Sequence, residues 1–497
     1  MNATDIFILN PAYFLRNDIH RAIIGTYDFP EIPQELYEKN ALRIIHPYQA
    51  QMLACFNGKN NFEQSVKEIS QHFTLDPKTV SSIIRNYIAN PTDLHIKYGD
   101  VVFSFPKNVL IKKEGYSSIE QYTKEEFEID KTFDAKTIRL YKPVKLIIET
   151  NLNCYTNCVY CYADRNNPKA HNLMPFARMK SLIDEAKKLR IPSIELNGGE
   201  VLLYPYAKEL LEHLDKSGYH PFISTKIPIS KELISFLKEK NFSHIQISID
   251  TFDINELCRR INVSENYLSR IIETMDMLDV MFFNWSVNVV LTKSNIDVET
   301  HLRPLISHLM NYKHIQSIKI TPMGYPMYQE SSTFNSLRPT IEDLIRVHEY
   351  IKSLQNGKIA IIYDLPVCTT EYRKRDMEVF SQRPRCSANQ RGMVILPNGE
   401  VTICEELYWN SHFLIGNVIQ NSLIDIWNSE KAKSLFYISQ SQIKKESNCK
   451  QCKSFYECRH DKGICWKMAI MAYGFDNWDF PDPSCPNSNE YKHDFSY

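Results

Sequence analysis

Apolar positions change their period several times along this chain of 497 residues. Near the start, DIFILN and RAIIGTY read as short strands. His46-Pro47 then opens an apolar stretch through Leu53, Ala54 and Phe56 that stops at Gly58, a helix terminator. Phe62, Val66, Ile69 and Phe73 recur at helical spacing. Asp76 stands as an N-cap with Pro77 at the first helical position, and Val80, Ile83, Ile84, Tyr87 and Ile88 share one face. LHIKYGDVVFSF gives two strand-like runs around Gly99-Asp100, a hairpin signal. Three helices and a hairpin, with two strands in front, predict a winged-helix-like domain over residues 1–120.

From 143 to 325 the pattern alternates. KLIIET, SIELN, FIST, HIQISID, WSVNVVLT and SIKIT are strand-like, and helical stripes lie between them. Met179, Leu182, Ile183, Ala186 and Leu189 form one such stripe; Ala207, Leu210, Leu211 and Leu214 form another. Six strand–helix units predict an α/β fold: a partial (βα)6 TIM-type barrel with parallel strands inside and helices outside. Chemistry in that architecture sits at the C-terminal ends of the strands. Residues 326–385 bridge, with one clear helix capped by Thr340. Residues 386–490 form a Cys-rich region with little regular pattern.

Composition narrows the function. With 43% apolar and 24% charged residues the chain is globular. A formal net charge of −1 removes the bulk electrostatic case for nucleic acid or an anionic membrane surface. No run of about 18 apolar residues occurs. The first residues lack a basic region followed by an apolar core, so a cytoplasmic protein with reduced thiols is expected. Ten of the thirteen cysteines then fall in two groups, at 154–161 and 386–485, a distribution that points to metal.

Directly after the first barrel strand comes NLNCYTNCVYCYADR, with Cys154, Cys158 and Cys161 spaced C-x3-C-x2-C. Three thiolates on one short loop can hold three irons of a four-iron cluster and leave the fourth iron open to a small molecule. A zinc knuckle or a redox thiol set would use the same residues. After the second strand stand Asn197, Gly198, Gly199 and Glu200; paired glycines let a ligand approach the backbone, and a carboxylate can hold an ammonium group.

At CYTNCVYC and Gly198–Glu200 the chain resembles radical S-adenosylmethionine (SAM) enzymes. The resemblance implies that SAM chelates the open iron of a [4Fe-4S] cluster. One electron then cleaves it to methionine and a 5′-deoxyadenosyl radical, which takes a hydrogen atom from the substrate. It implies further that Tyr160 lies against the adenine and that Gly198, Gly199 and Glu200 take the methionine end. SIDTFDINELCRR resembles the family's S-x-D pattern followed by an Arg, which assigns Ser248 to the ribose and Arg260 to the carboxylate.

The second group, Cys386, Cys404, Cys449, Cys452, Cys458, Cys465 and Cys485, resembles the SPASM extension of one branch of these enzymes. That extension implies two auxiliary [4Fe-4S] clusters: an outer one on Cys449, Cys452, Cys458 and Cys485, and an inner one on Cys386, Cys404 and Cys465. Six residues separate Cys458 from Cys465 where the family usually has three. The inner cluster lacks an obvious fourth ligand, which Cys368, an oxygen ligand or the substrate would supply. Taken alone, the same spacing describes a zinc ribbon equally well. Glu405, directly after Cys404, matches the acidic residue proposed as the base in sulfatase-maturing relatives. Cys55 and Cys258 read as packing residues.

The front domain resembles the PqqD-like leader-recognition element of ribosomally made, modified peptides. Such elements bind a leader peptide as an added strand, with the third helix as the other wall. Its PKTVSSIIRNYIAN helix carries one Lys and one Arg among acidic neighbours, unlike a phosphate-binding surface. The expected function is therefore a radical SAM peptide maturase that installs a thioether or C–C crosslink. Its expected partners are a precursor peptide and a reduced flavodoxin- or ferredoxin-type electron donor, with no nucleic acid and no membrane. The alternatives are an anaerobic sulfatase-maturase-like enzyme acting on a protein Cys or Ser, and an iron–sulfur sensor regulating transcription.

Overall fold

The computed structural model describes residues 4–30, 32–88, 90–116, 119–129, 132–354, 359–363 and 376–495. They form two compact units: Met1–Val144 with Leu189–Ser193, and Lys145–Lys188 with Ile194–Tyr497.

In the first unit, β1 (Phe7–Leu9) pairs antiparallel with β7 (Leu110–Lys112). A second antiparallel sheet runs β2 (Tyr13–Asn17), β3 (Ala22–Thr26), β4 (Leu42–Ile45), so β2 and β4 are its edges. Helices α1 (Pro47–Ala54), α2 (Phe62–Phe73) and α3 (Pro77–Ile88) follow, then the hairpin β5 (Leu94–Tyr98) and β6 (Val101–Phe105). The expected Asp76 cap holds, its carboxylate accepting from Thr79 N at 3.0 Å, and the His46 ring is a further cap, accepting from Tyr48 N at 3.2 Å. Gly99 turns the hairpin at φ +58°, a left-handed conformation that glycine adopts freely. Leu9, Leu15, Ile24, Leu53, Ile69 and Ile84 belong to one shared core.

Strands β2 and β4 are additions to the sequence reading. Each carries an arginine that breaks the apolar pattern, Arg16 in β2 and Arg43 in β4. Arg16 is buried nonetheless, because its guanidinium donates to Lys142 O at 2.8 Å and to Pro143 O and lies 3.6 Å from Asp18.

In the second unit all six expected strands are present: β8 (Lys145–Asn151), β9 (Ser193–Gly198), β10 (Ile223–Thr225), β11 (His244–Ser248), β12 (Asn284–Leu291) and β13 (Ile315–Pro322). Helices α4 (Phe176–Lys188), α5 (Ala207–Ser217), α6 (Lys231–Glu239), α7 (Ile254–Ile261), α8 (Tyr267–Val280) and α9 (Arg303–Leu309) intervene, and α10 (Ser331–Leu337) and α11 (Ile341–Ser353) follow. The fold is the expected α/β barrel of partial type, and its six strands divide between two sheets. Strands β10 to β13 run parallel and are extended by β14 (Ala360–Ile362). Strands β8 and β9 belong to a sheet of order β17-β16-β15-β8-β9.

The three further strands come from the Cys-rich region, which is more regular than expected: β15 (Gly392–Ile395), β16 (Glu400–Thr402) and β17 (Leu414–Asn417). Strand β15 lies parallel to β8, from Gly392 opposite Lys145 to Ile395 opposite Ile148. It turns into β16 through Pro397-Asn398-Gly399, with Gly399 at φ +83°. An Asn-Gly pair between Met393–Leu396 and Val401–Ile403 is a readable hairpin signal that the cysteine spacing overshadowed. No helix among the described residues is long and apolar enough to cross a membrane.

Candidate active site and cysteine groups

The C-terminal ends of β8, β9, β10 and β11 meet around the first cysteine loop, as the barrel architecture requires. The loop leaves β8 at Asn151, whose side chain accepts from Asn153 N at 2.7 Å and donates to Glu200 O at 3.1 Å. Gly199 N donates to Asn151 O and Glu200 N to Asn153 O, each at 2.7 Å. The paired glycines are needed here for close packing of the backbone. A Cβ on Gly198 would lie 2.2 Å from Asn151 O, and one on Gly199 would lie 2.3 Å from Asn153 O. They admit the backbone of the cysteine loop itself. The far side of the loop docks on the end of α7, through Asn157 N to Ile261 O at 2.9 Å and Val159 N to Arg260 O at 3.0 Å.

Burial pushes the Cys154 thiol up to about 12, and negative charge on Cys161, Glu200 and Cys158 adds to the rise, opposed by Arg165. Burial raises Cys161 too. Thiols of this kind lose their protons only against a strong cation, so metal uptake at the loop releases protons. Among the described residues no three His, Cys, Asp or Glu side chains converge as ligands of one shared ion.

Glu200 is buried and carries three donors: Thr225 Oγ1 at 3.0 Å, Lys226 N at 3.1 Å and Leu202 N at 3.3 Å. A carboxylate offers about four acceptor positions, so one remains for an ammonium group. Tyr160 lies between two cations: Lys226 Nζ is 5.2 Å and the Arg260 guanidinium carbon 5.4 Å from its ring centroid. Its hydroxyl donates to Asp250 and accepts from Lys226 Nζ at 2.5 Å, and Lys226 also pairs with Asp250 at 3.0 Å. Asp250 is fully buried. Burial alone would raise its carboxyl, but the Lys226 and Arg260 charges, the Tyr160 hydroxyl and Val290 N hold it below the usual range. Ser248 ends β11 two residues before it.

Arg260 is 2% exposed and donates from Nη2 to Val290 O at 3.3 Å; its Nε and Nη1 have no acceptor. A buried guanidinium with two stranded nitrogens is costly unless an anion completes it. A SAM carboxylate is such an anion, so the residues present fit the expected group. The sequence reading left Lys226 and Asp250 without roles, although Asp250 is the D of the quoted S-x-D.

Among the remaining cysteines, Cys485 senses the charge of Cys458, Cys449 and Cys452, and Cys465 that of Cys386. Burial pushes Cys485 up to about 12, with Cys458, Cys449 and Cys452 adding to the rise. Burial also pushes Cys465 up to about 12, with Cys386 and then Asp482 contributing. Cys404 rises by burial, with Cys465, Glu406 and Glu405 adding to it. Cys465 stands at the start of the helix Trp466–Tyr473, and its N–H reaches Asp482 Oδ2 at 3.5 Å. Two arginines meet the other group: Arg383 Nη2 lies 3.1 Å from Cys458 Sγ, and Arg459 Nη2 lies 3.3 Å from Cys449 Sγ. Neither was a sequence-level candidate. Cys368 lies outside the described residues. Cys55 is buried against α1 and Cys258 lies half-buried on α7, consistent with packing.

Glu405 faces the barrel strands, where its Oε2 accepts from Asn197 Nδ2 at 2.8 Å. Burial raises its carboxyl, and Glu406 and Glu195 add to the rise. Glu149, an acid inside the otherwise apolar strand β8, lies 1% exposed with Oε2 unpartnered. Burial, then the Glu405 charge, holds it well above the usual carboxylate range. Glu406 pairs with Lys467 and its carbonyl accepts from Tyr328 Oη at 2.9 Å. A carboxylate of raised basicity beside a cysteine group is equipped to take a proton.

Two family models match the chain: Radical SAM superfamily over residues 148–305, and the SPASM iron–sulfur cluster-binding domain over residues 386–453. Mycofactocin maturase MftC of Mycobacterium tuberculosis is 22% identical over 349 residues, which cover 69% of this chain and 83% of the relative. PqqA peptide cyclase of Methylobacterium sp. is 22% identical over 359 residues, covering 71% and 88%. In fold, the chain is similar to Streptococcus suis SuiB bound to its precursor peptide SuiA. That likeness has a TM-score of 0.62 at 14% identity, over 96% of this chain and 98% of that one. A radical SAM domain holds a [4Fe-4S] cluster and SAM, and a SPASM domain holds auxiliary clusters. The chain thus joins a radical SAM domain to a SPASM domain and is an enzyme of that chemistry.

Proposed function

We propose that this enzyme matures a ribosomally made precursor peptide by hydrogen-atom abstraction and installs a thioether or C–C crosslink in it. The observation that carries the reading is the joint one. The loop of Cys154, Cys158 and Cys161 with its stranded Arg260, and the two further cysteine groups, belong to one unit, in a chain similar over 69% and 71% of its length to a mycofactocin maturase and a PqqA peptide cyclase. When bound, the cluster and SAM supply a 5′-deoxyadenosyl radical. The protein's part is to hold and shield: Cys154, Cys158 and Cys161 take three irons, Gly198, Gly199 and Glu200 face the methionine end, and Arg260 binds the carboxylate. Tyr160 packs on the adenine and Ser248 meets the ribose. Cys386, Cys404 and Cys465 hold the inner auxiliary cluster; Cys449, Cys452, Cys458 and Cys485 hold the outer one. Glu405 accepts the substrate proton.

The first unit serves as a PqqD-like platform for the leader peptide. The three-stranded antiparallel sheet, with β2 and β4 as its outer strands, and a neighbouring three-helix set support this reading, since a peptide strand can pair with an outer strand through main-chain hydrogen bonds. Residues 1–120 form this domain, 143–325 the radical core, 326–385 a bridge and 386–490 the SPASM region. A reduced flavodoxin or ferredoxin supplies the electron in the cytosol, where thiols stay reduced.

The test is anaerobic coexpression with short peptides encoded beside the gene, followed by mass spectrometry. Loss of two hydrogen atoms from one such peptide, absent with Cys158→Ala, is expected. A wild-type enzyme that forms 5′-deoxyadenosine yet leaves every such peptide unchanged, and instead modifies a neighbouring sulfatase, would overturn it.

A further inference from the structure

The two auxiliary cysteine groups stand in opposite electrostatic surroundings. Arg459 is 4% exposed, and a guanidinium keeps its charge even when buried. Its Nη2 donates to Cys449 Sγ at 3.3 Å, Asp479 O at 2.8 Å and Phe480 O at 2.9 Å. Its Nε and Nη1 are buried without an acceptor. Backbone carbonyls alone would explain a structural strut; they do not explain two stranded nitrogens on a buried cation, which call for an anion. Arg383 approaches Cys458 Sγ at 3.1 Å, is tied to Gly463 O at 2.8 Å and stacks 3.9 Å from the Phe380 ring centroid. Both contacts fall on the group of Cys449, Cys452, Cys458 and Cys485.

Around Cys386, Cys404 and Cys465 the balance is acidic. Cys465 N reaches Asp482 Oδ2 at 3.5 Å, and Glu405 and Glu406 directly follow Cys404 in the chain. Lys467 there already pairs with Glu406, and Arg385 lines a cavity with Cys386. A four-thiolate cluster is an anion, and adding an electron makes it more so. Hydrogen bonds and positive charge at its sulfurs favour the reduced form, as acidic neighbours oppose it.

We propose that Arg459 and Arg383 are counter-cations of the outer auxiliary cluster and make it easier to reduce than the inner one, so that an electron shared between the two rests on the outer. The inference rests on the assignment of two auxiliary clusters to the seven C-terminal cysteines. The arginines are positioning residues: they touch ligand sulfurs and take no part in bond making.

The test is a potentiometric titration of reconstituted full-length enzyme, followed by electron paramagnetic resonance. SAM identifies the first cluster by perturbing its signal, and Cys485→Ser identifies the outer one. In Arg459→Gln the equilibrium constant for reducing the outer cluster should fall at least tenfold, about 59 mV for one electron. Arg383→Gln should shift it the same way and Arg459→Lys less, while the other two midpoints stay in place. An outer midpoint that stays put at full iron content, equal shifts of all three, or a wild-type outer cluster harder to reduce than the inner would overturn the proposal. Should Arg459→Gln lose its outer iron, Arg459→Lys and Arg383→Gln carry the same comparison. Wild-type enzyme without auxiliary iron or sulfide would instead refute the cluster assignment and the proposal with it.

Discussion

Replacing Gly199 by alanine isolates the fit between the cysteine loop and the end of β9. Unlike Gly198, which sits at φ +121°, Gly199 has no left-handed backbone, so the substitution is purely a matter of space. The new Cβ would stand 2.3 Å from Asn153 O and 2.6 Å from Leu152 C, both backbone atoms that cannot swing away. Real Cβ contacts stay beyond 3.0 Å, so strand end and loop must part by some 0.7 Å or more. Overpacking of this kind costs about 1–3 kcal/mol. The two 2.7 Å hydrogen bonds that zip the loop to the strand stretch with it, at roughly 1 kcal/mol each. A strain of about 3 kcal/mol is some hundredfold in an equilibrium constant. The loop can relieve most of it by leaving the position in which its thiols and the SAM pocket are aligned. Gly199→Ala is therefore expected to melt within a few degrees of wild type but to bind SAM, by calorimetry on anaerobic reconstituted enzyme, at least tenfold more weakly. Gly324→Ala, where a Cβ meets nothing within 4 Å, is the control. Wild-type SAM affinity and iron content in Gly199→Ala would refute the reasoning.

Lys226→Met strips one cation from the buried Asp250 and the hydroxyl of Tyr160; breaking a buried pair costs about 3–5 kcal/mol, so calorimetry should show a lower melting temperature and titration weaker SAM binding, with Lys226→Arg retaining part of both. His412 stacks on Trp478 at 3.6 Å, with Nε2 buried and unpartnered, and burial followed by the Lys431 charge lowers it to about 4. Because the unfolded ring binds a proton near pH 6.5 and the folded one does not, stability should fall as pH drops from about 6.5 to about 4; melting curves of His412→Phe should lack that share of the slope, and an unchanged slope would contradict it. Glu405→Gln should cut peptide product about 10²-fold or more while 5′-deoxyadenosine still forms, since general-base loss affects a later step; parallel loss of both would remove Glu405 from the role of base.

The six barrel strands were legible because short apolar or alternating runs, such as KLIIET and HIQIS, end in polar or cysteine-rich loops and are separated by helical stripes. The cysteine positions were legible because thiolate spacing survives without any regular structure around it. Strands β2 and β4 were not, since buried Arg16 reads as a solvent-facing residue until the carbonyls that satisfy it are seen. Lys226 and Arg459 escaped for the same reason: lysine and arginine are the commonest surface residues, and only distance reveals which ones reach a buried anion. Glu149 had a readable signal, a carboxyl in the middle of an apolar strand, but its meaning depends on Glu405, which lies more than two hundred positions away in sequence. The glycines of the Gly-Gly-Glu motif were recognised for ligand access, whereas their tightest neighbours are the carbonyls of the motif before them.

The parallel pairing of β15 with β8 ties the opening strand of the barrel to residues nearly 250 positions downstream. On a ribosome, β8 emerges long before its neighbour has been translated, and an apolar strand with a bare rim is an invitation to other chains. Nascent copies must therefore wait, shielded by chaperones or by slow synthesis, until the last quarter of the polypeptide arrives. Fragments truncated before residue 392 should collect as insoluble aggregates, even though every residue of the cluster-bearing loop is present in them.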